Sequence, residues 1–254
     1  MGCYAQRVCR AARASALHSF PAASLPRNMV LAAMSAGDLD LVSPEDVDFS
    51  RGEILFYSHG RVDRIYFPHT ALVSLLTQLK EGGTIETGTV GCEGIVGAFA
   101  IYGDNIALSR SMVQIPGRCG VVPLNRMKNA VSESKSLRML IGHFQQAFAA
   151  QLLQQIACNA AHGVLSRCAR CILMGLDRTE GDVVPLTHEF LGELLGAVRP
   201  TVSVALKELQ KARLIETSYA KIRVLDRPGL INASCECYRN IREIYKRLLP
   251  KTYT

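Results

Sequence analysis

The 254-residue sequence has no apolar run near the ~20 residues that a membrane-spanning helix needs. Gly, Gln or Cys interrupts its longest apolar patches, so no membrane partner is expected. It also has no P-loop, no HExxH and no GxSxG, which removes common signatures of nucleotide, metalloprotease and serine-hydrolase chemistry. Its six histidines are scattered, with no evident nucleophile beside any of them. No catalytic residue is assigned and an enzyme is not expected. The nine cysteines are odd in number, in a long chain without an evident secretory signal. That argues against a disulfide framework and for reduced thiols in the cytoplasm. Acids are missing from residues 1–28, which carry four arginines. The stretch has a transit-peptide composition, but the expectation is a disordered tail over 1–27, or translation that begins at Met29. "MGCYAQ" lacks the Ser or Thr of a myristoylation site.

What is present is unevenly charged. The net charge is +7, yet residues 187–254 carry twelve Lys and Arg against seven Asp and Glu, while the middle of the chain is slightly acidic. A basic last third suggests a polyanionic partner. The 48% hydrophobic content is enough for sizeable cores in one large or two modest domains.

The chain changes character twice. A short helix is expected from about Asn28 to Ser43. Between Gly52 and Gly120 lie 11 of the 20 glycines, separating the short apolar runs "EILFY", "RIYFP", "ALVSLLTQL" and "SMVQIPG". Short strands with frequent turns predict a sandwich or barrel. From Ser132 to about Ala161 there is no Pro, and Leu137, Leu140, Ile141, Phe144, Phe148, Leu152 and Ile156 recur at mostly helical steps. A helix of ~30 residues spans ~45 Å. A long apolar stripe with few charges suits pairing with a second copy through Leu140, Ile141, Phe144, Phe148, Leu152 and Ile156, although packing on the chain's own β-domain gives the same spacing.

"GVLSRCARCILMGLDR" predicts another helix, and "LTHEFLGELLGAVRPTVSVALKELQKARLI", Leu186 to Ile215, predicts two more. Thr187 is a good N-cap and Gly196 a stop. Pro200 suits a first helical position. Val202, Ala205, Leu206 and Leu209 share one face, while Arg199, Pro200, Ser203, Val204 and Lys207 share the other. Two helices joined around a glycine fit a helix-turn-helix, and geometry alone equally allows an ordinary helical hairpin. "LIETSYAKIRVLD" follows as a hairpin.

This order resembles the Crp/Fnr superfamily of bacterial transcription regulators over about Asn28 to Tyr238. The Leu186–Glu216 segment with "IRVLD" is similar to the family's winged helix, "GCEGIVGAF" to the glycine-rich part of its β-roll, and "SESKSLRML…QQIACNAA" stands where the family has its dimer helix. The resemblance implies an α+β chain: a β-roll or jelly-roll sensor domain of the cyclic-nucleotide-binding kind over 28–131, a dimerisation helix over 132–162, and a winged helix-turn-helix over 163–254. It implies a dimer on a palindromic stretch of double-stranded DNA, with RNA polymerase as a further partner of an activator. The recognition helix then starts at Arg199 and meets DNA through Arg199, Pro200, Thr201, Ser203, Val204, Lys207 and Lys211, with Lys221 on the wing. Pro200 stands where the family has Glu, Val204 where it has Arg, and "YAK" where a glycine turn is common. The operator is therefore expected to differ from those of other members. The alternative is a small-molecule-binding β-roll whose C-terminal domain meets protein rather than DNA.

The effector stays unknown. A cyclic-nucleotide cradle needs an Arg, a hydroxyl and a Glu, and Gly94, Gly97, Arg110 and Ser111 are the candidates for such a pocket. Ile95 stands where the family has the Glu, and the Phe99–Arg110 loop is long. A charge-assisted bond worth ~1.5–3 kcal/mol is then missing, so cyclic AMP is not expected. An iron–sulfur cluster needs four thiolates; the N-terminal tail offers only Cys3 and Cys9, so a cluster is not expected either. Cys168 and Cys171 form the only CxxC, after Cys158 and His162, but they replace apolar positions of an amphipathic helix and read as buried thiols. Cys235 and Cys237, without a nearby His, fall short of a zinc site. No metal is assigned.

Overall fold

The computed structural model describes residues 28–250 except 79, 81–83 and 180. The expected tail over 1–27, with Cys3 and Cys9, lies outside the described residues. The chain opens on two short helices, α1 (Met29–Ala33) and α2 (Ala36–Val42). The Asn28 side chain accepts from the amides of Val30 and Leu31, and Ser35 caps α2 by accepting from Asp38. The single helix expected here is thus broken at Ser35, whose extended backbone and hydroxyl start a new turn.

An antiparallel β-domain follows. Its strands are β1 (Glu45–Phe49), β2 (Ile54–Phe56), β3 (Arg64–Pro68), β4 (Leu72–Gln78), β5 (Thr84–Val90), β6 (Arg110–Ile115) and β7 (Gly117–Pro123). Among the described residues they form two sheets, ordered β1-β7-β3 and β2-β6-β4-β5. The second carries bulges between Ile54 and Phe56, Leu72 and Val73, and Leu75 and Leu76, and such bulges bend and twist strands into rolls. Ile65, Phe67, Val73, Val113 and Val122 fill the space inside. A 3-10 turn, Ala98–Ile101, closes the domain toward the helices.

The helical stretch then runs as α3 (Leu124–Glu133) and α4 (Lys135–Ala161). Ser134 separates them by accepting from the amide of Leu137. The helix expected from Ser132 therefore begins anew at Lys135; it is 27 residues long, or ~40 Å at 1.5 Å per residue. Beyond it come α5 (Val164–Leu176), β8 (Val183–Val184), α6 (His188–Leu195), α7 (Arg199–Lys211), β9 (Ile215–Ser218), β10 (Lys221–Val224), α8 (Arg227–Ala233) and α9 (Cys237–Leu248). The small sheet β8-β10-β9 flanks the helices. Helix α5 is the hub: Arg167 to Leu176 are all buried, and it packs on α6, α7, α8 and α9. Helix α9 lies along α4. Its start is fixed by Asp177, which accepts from Arg242 at 2.7 Å and from the Tyr238 hydroxyl at 3.0 Å.

Candidate nucleic-acid interface and effector cavity

Helix α6 begins where the Thr187 hydroxyl accepts from the amide of Phe190 at 3.1 Å. Phe190, Leu191, Leu194 and Leu195 are buried. Gly196 ends the helix at φ 55, a left-handed turn that costs glycine little. Arg199 opens α7, and Pro200 sits second, among amides that need no helical partner. Val202, Ala205, Leu206 and Leu209 bury one face of α7. On the opposite face Arg199, Pro200, Thr201, Val204, Lys207 and Lys211 are exposed. Val204 is 56% exposed, an apolar residue held in water on a basic face. Ser203 is half-buried, with its Oγ 3.3 Å from His188 Nδ1, so it also ties α7 to α6. The hairpin β9–β10 stands beside α7, joined by the Thr217 hydroxyl donating to Gln210 Oε1 at 3.1 Å. Tyr219 at its tip is 98% exposed, Ala220 turns at φ 54, and Lys221 is exposed just after the turn.

A cavity of about 250 Å³ opens into the β-domain. Phe56, Val62, Leu75, Phe99, Phe148 and Leu152 give it apolar walls, and Thr77, Thr87, Ser109 and Ser111 add hydroxyls. Gly97 and Ser111 line it, but Gly94 and Arg110 do not. Gly94 faces Phe144 and Val90, where a Cβ would stand 2.8 Å from each. Arg110 pairs with Leu76 on β4. Ile95 is buried among apolar residues. The four effector candidates are thus not one cradle, and no charged side chain lines the cavity among the described residues.

Helix α4 corrects the expected pairing stripe. Ile141, Phe144 and Phe148 are buried in the chain's own core. Phe144 and Phe148 stack with centroids 5.8 Å apart, and Phe148 faces Gly88 of β5. Leu140 and Leu152 are half-buried against the same core. Of the six residues assigned to pairing, only Ile156 is exposed, at 67%. The exposed stripe runs instead through Met139, His143, Gln146, Ala149, Leu153, Ile156 and Ala157. Helical spacing identified an apolar face, and the β-domain covers that face.

Two polar groups escaped the sequence reading because their members are far apart in the chain. Glu93, inside "GCEGIVGAF", is buried and pairs with buried Arg178 at 2.6 and 3.1 Å. Arg178 also donates to the Thr89 hydroxyl at 2.6 Å, so the β-domain and the end of α5 share one buried polar contact. Nearby, the Ser74 hydroxyl bonds to buried Glu86. Burial pushes the Glu86 carboxyl up to about 8, against the pull of the Ser74 bond and of Arg178 and Arg170, and Glu193 adds to the rise. The second group corrects the reading of the cysteines. Burial pushes the Cys168 and Cys171 thiols up, as suits inert core groups. Cys235 and Cys237 do have a histidine nearby: Cys237 Sγ lies 3.5 Å from His162 Nδ1, and Cys235 Sγ lies 3.5 Å from Cys158 Sγ.

Residues 166–233 match the Crp-like helix-turn-helix domain. The chain is 29% identical over 196 residues to the transcriptional regulator SdrP of Thermus thermophilus, an alignment covering 73% of this chain and 92% of that protein. A transcriptional regulator of the CRP/FNR family from Thermus thermophilus superposes with a TM-score of 0.60 at 26% identity, covering 75% of this chain and 98% of that one. FixK2 from Bradyrhizobium japonicum superposes with a TM-score of 0.66 at 14% identity, covering 76% and 98%.

Proposed function

We propose that the chain is a transcriptional regulator of the Crp/Fnr type, a reading supported by the match of residues 166–233 and the 29% identity to SdrP, and that it acts as a homodimer reading a palindromic operator with α7. The observation that carries this reading is the exposed face of α7, which sets Arg199, Pro200, Val204, Lys207 and Lys211 outward from a helix buried on its other side. Arg199 is at the N-terminal end, which enters the major groove first, and its planar fork can donate to guanine N7 and O6. Val204 can touch a thymine methyl, and Thr201 and Ser203 can donate to a base or a phosphate. Lys207, Lys211 and Lys221 meet phosphates and set the register.

The exposed stripe of α4 supports the dimer. Met139, His143, Gln146, Ala149, Leu153 and Ile156 recur at steps of three and four, and from Met139 to its end the helix carries no Lys, Arg, Asp or Glu. That pattern suits knobs-into-holes pairing of two copies of α4. A two-fold dimer on such an operator needs its two copies of α7 in successive major grooves, ~34 Å apart. The cavity between the β-domain and α4 is the candidate effector site; its apolar walls and hydroxyls suit a small uncharged ligand better than a cyclic phosphate. The reading assigns no catalytic step.

Selection of bound sequences from a random duplex library tests the reading. Enrichment of a two-fold symmetric site is the expected result. No enrichment at any salt concentration would instead favour a C-terminal domain that meets protein.

A further inference from the structure

The end of α4 and the junction between α8 and α9 bring four metal-ligating groups together. Cys158 lies on the last turn of α4 and His162 is its C-cap, while Cys235 and Cys237 flank the start of α9. Their Sγ and imidazole nitrogen atoms all lie within 4.8 Å of one another. The three cysteines are buried and touch one another in a cluster separate from the main core. Buried thiols pack as small apolar groups, but an imidazole nitrogen turned onto them completes a set of four ligands.

From this geometry we propose that Cys158, His162, Cys235 and Cys237 hold one structural zinc ion. Zn–S bonds of about 2.3 Å and Zn–N bonds of about 2.0–2.1 Å give a tetrahedron with S···S edges of about 3.8 Å and S···N edges of about 3.5 Å. The Cys158–Cys235 and Cys237–His162 separations are both 3.5 Å, so small shifts suffice. A cluster with bridging sulfides spreads its thiolates farther than one ion does, and the 4.8 Å span suits a single ion. Four protein ligands leave no open position, as in structural rather than catalytic sites.

The groups behind the ligands have the matching chemistry. His162 would bind through Nδ1, and its Nε2 lies 3.1 Å from Glu236 Oε1, the carboxylate that fixes the tautomer of a ligating imidazole. Gln154 Nε2 donates to Cys237 Sγ at 3.1 Å, a bond that favours thiolate. Three thiolates around Zn²⁺ leave one negative charge. The buried guanidinium of Arg170 interacts electrostatically with Cys171 and with these same three cysteines, and its Nε and Nη2 have no hydrogen-bond partner among the described residues. It supplies the balancing positive charge. Binding displaces the thiol protons to solvent as the three Zn–S bonds form. The ion fastens the end of α4 to α9, and this inference stands whether or not α7 reads DNA.

The test is the metal content of the full-length chain, purified without chelator and without a histidine tag. The expected result is one zinc per chain by mass spectrometry of the elements. Cobalt added to the metal-free protein should give the thiolate charge-transfer and intense visible bands of tetrahedral coordination. Cys158→Ser with Cys235→Ser should abolish both, and Glu236→Gln should lower zinc affinity ~10–100-fold. A wild-type chain with no zinc and no cobalt bands overturns the proposal, whatever the variants do. So does a Cys158–Cys235 disulfide in the freshly purified protein, or a double variant that keeps its metal.

Discussion

The two faces of α4 have similar chemistry and different fates. One face carries Ile141, Phe144 and Phe148, which the β-domain of the same chain covers completely. The other carries Met139, Leu153 and Ile156, exposed at 54, 68 and 67%. In the sequence one stripe stands out at helical spacing, and it counts Ile156 with Ile141, Phe144 and Phe148 although Ile156 lies on the open face. An apolar stripe says that a face will be covered; only the fold says by what. The covered face should answer to folding stability and the open face to association. Phe144→Ala should therefore cost ~3–5 kcal/mol in denaturant unfolding, at any protein concentration. Leu153→Lys with Ile156→Lys should leave the β-domain folded and weaken self-association at least tenfold in sedimentation velocity. A cost below ~1 kcal/mol for Phe144→Ala, or an unchanged mass for the lysine pair, breaks the contrast.

The same division between closed and open surface holds where the β-domain meets α5 and α6. Glu86 is shut into that contact with Ser74, Arg170 and Arg178 around it and Glu193 adding repulsion. Its carboxyl is raised from the ordinary 4.5 to about 8, so the folded state holds a proton that the unfolded chain releases. The stability it contributes is complete below about pH 4.5 and is lost as pH rises through about 8. The loss is steepest at ~1.4 kcal/mol per pH unit. Unfolding free energy measured from pH 5 to 8 should fall more in the wild type than in Glu86→Gln, which keeps the shape without the titration. Parallel curves would show that water or a shifted side chain relieves the charge.

Local signals made the winged helix legible in the sequence. Thr187, Gly196 and the Val202/Leu206/Leu209 face act over a few residues, and α6 and α7 lie where they point. Strand β3 coincides with "RIYFP". Strand β1, "EDVDF", is exposed over four of its five residues, so it lacks an apolar signature and depends on pairing with β7. The proposed zinc site was only half legible, since Cys158 and His162 stand four residues apart in the sequence but their partners do not lie near them. Cys158 and Cys235 are 77 residues apart, and no spacing rule joins the end of one helix to the start of another that packs along it. The effector candidates failed in the same way, because register on β6 sends Ser111 to the cavity and leaves Arg110 outside it.

Arg199 carries the contrast to the surface meant for DNA. A base-reading Arg199 predicts that Arg199→Ala costs ~1–3 kcal/mol per half-site and relaxes preference at one base position. A phosphate contact predicts weaker binding to all sequences and a salt slope lower by about one per half-site. Selection from the random library with the variant separates these outcomes. An unchanged base preference removes the base-reading role and leaves α7 held by its lysines.

The smallest effect is expected at the wing. Ala220 takes φ 54 between Tyr219 and Lys221, where the chain turns from β9 into β10. An L-residue in the left-handed region costs ~1–2 kcal/mol, because its Cβ crowds the following carbonyl oxygen. Glycine removes that clash, but it gives the unfolded chain more freedom to lose, ~0.4–1 kcal/mol. The difference predicts that Ala220→Gly stabilises the folded chain by ~0.5–1 kcal/mol. The hairpin pairs Lys221 with Ser218 and Ile222 with Thr217, so its register does not depend on the Cβ of Ala220. Thermal unfolding should show a slightly higher midpoint, and duplex affinity should stay within twofold, since Lys221 keeps its place. A variant less stable than the wild type would mean that the turn is relaxed, with Ala220 outside the left-handed region. A large loss of DNA binding at unchanged stability would mean that the shape of the tip, rather than its charge, meets the duplex.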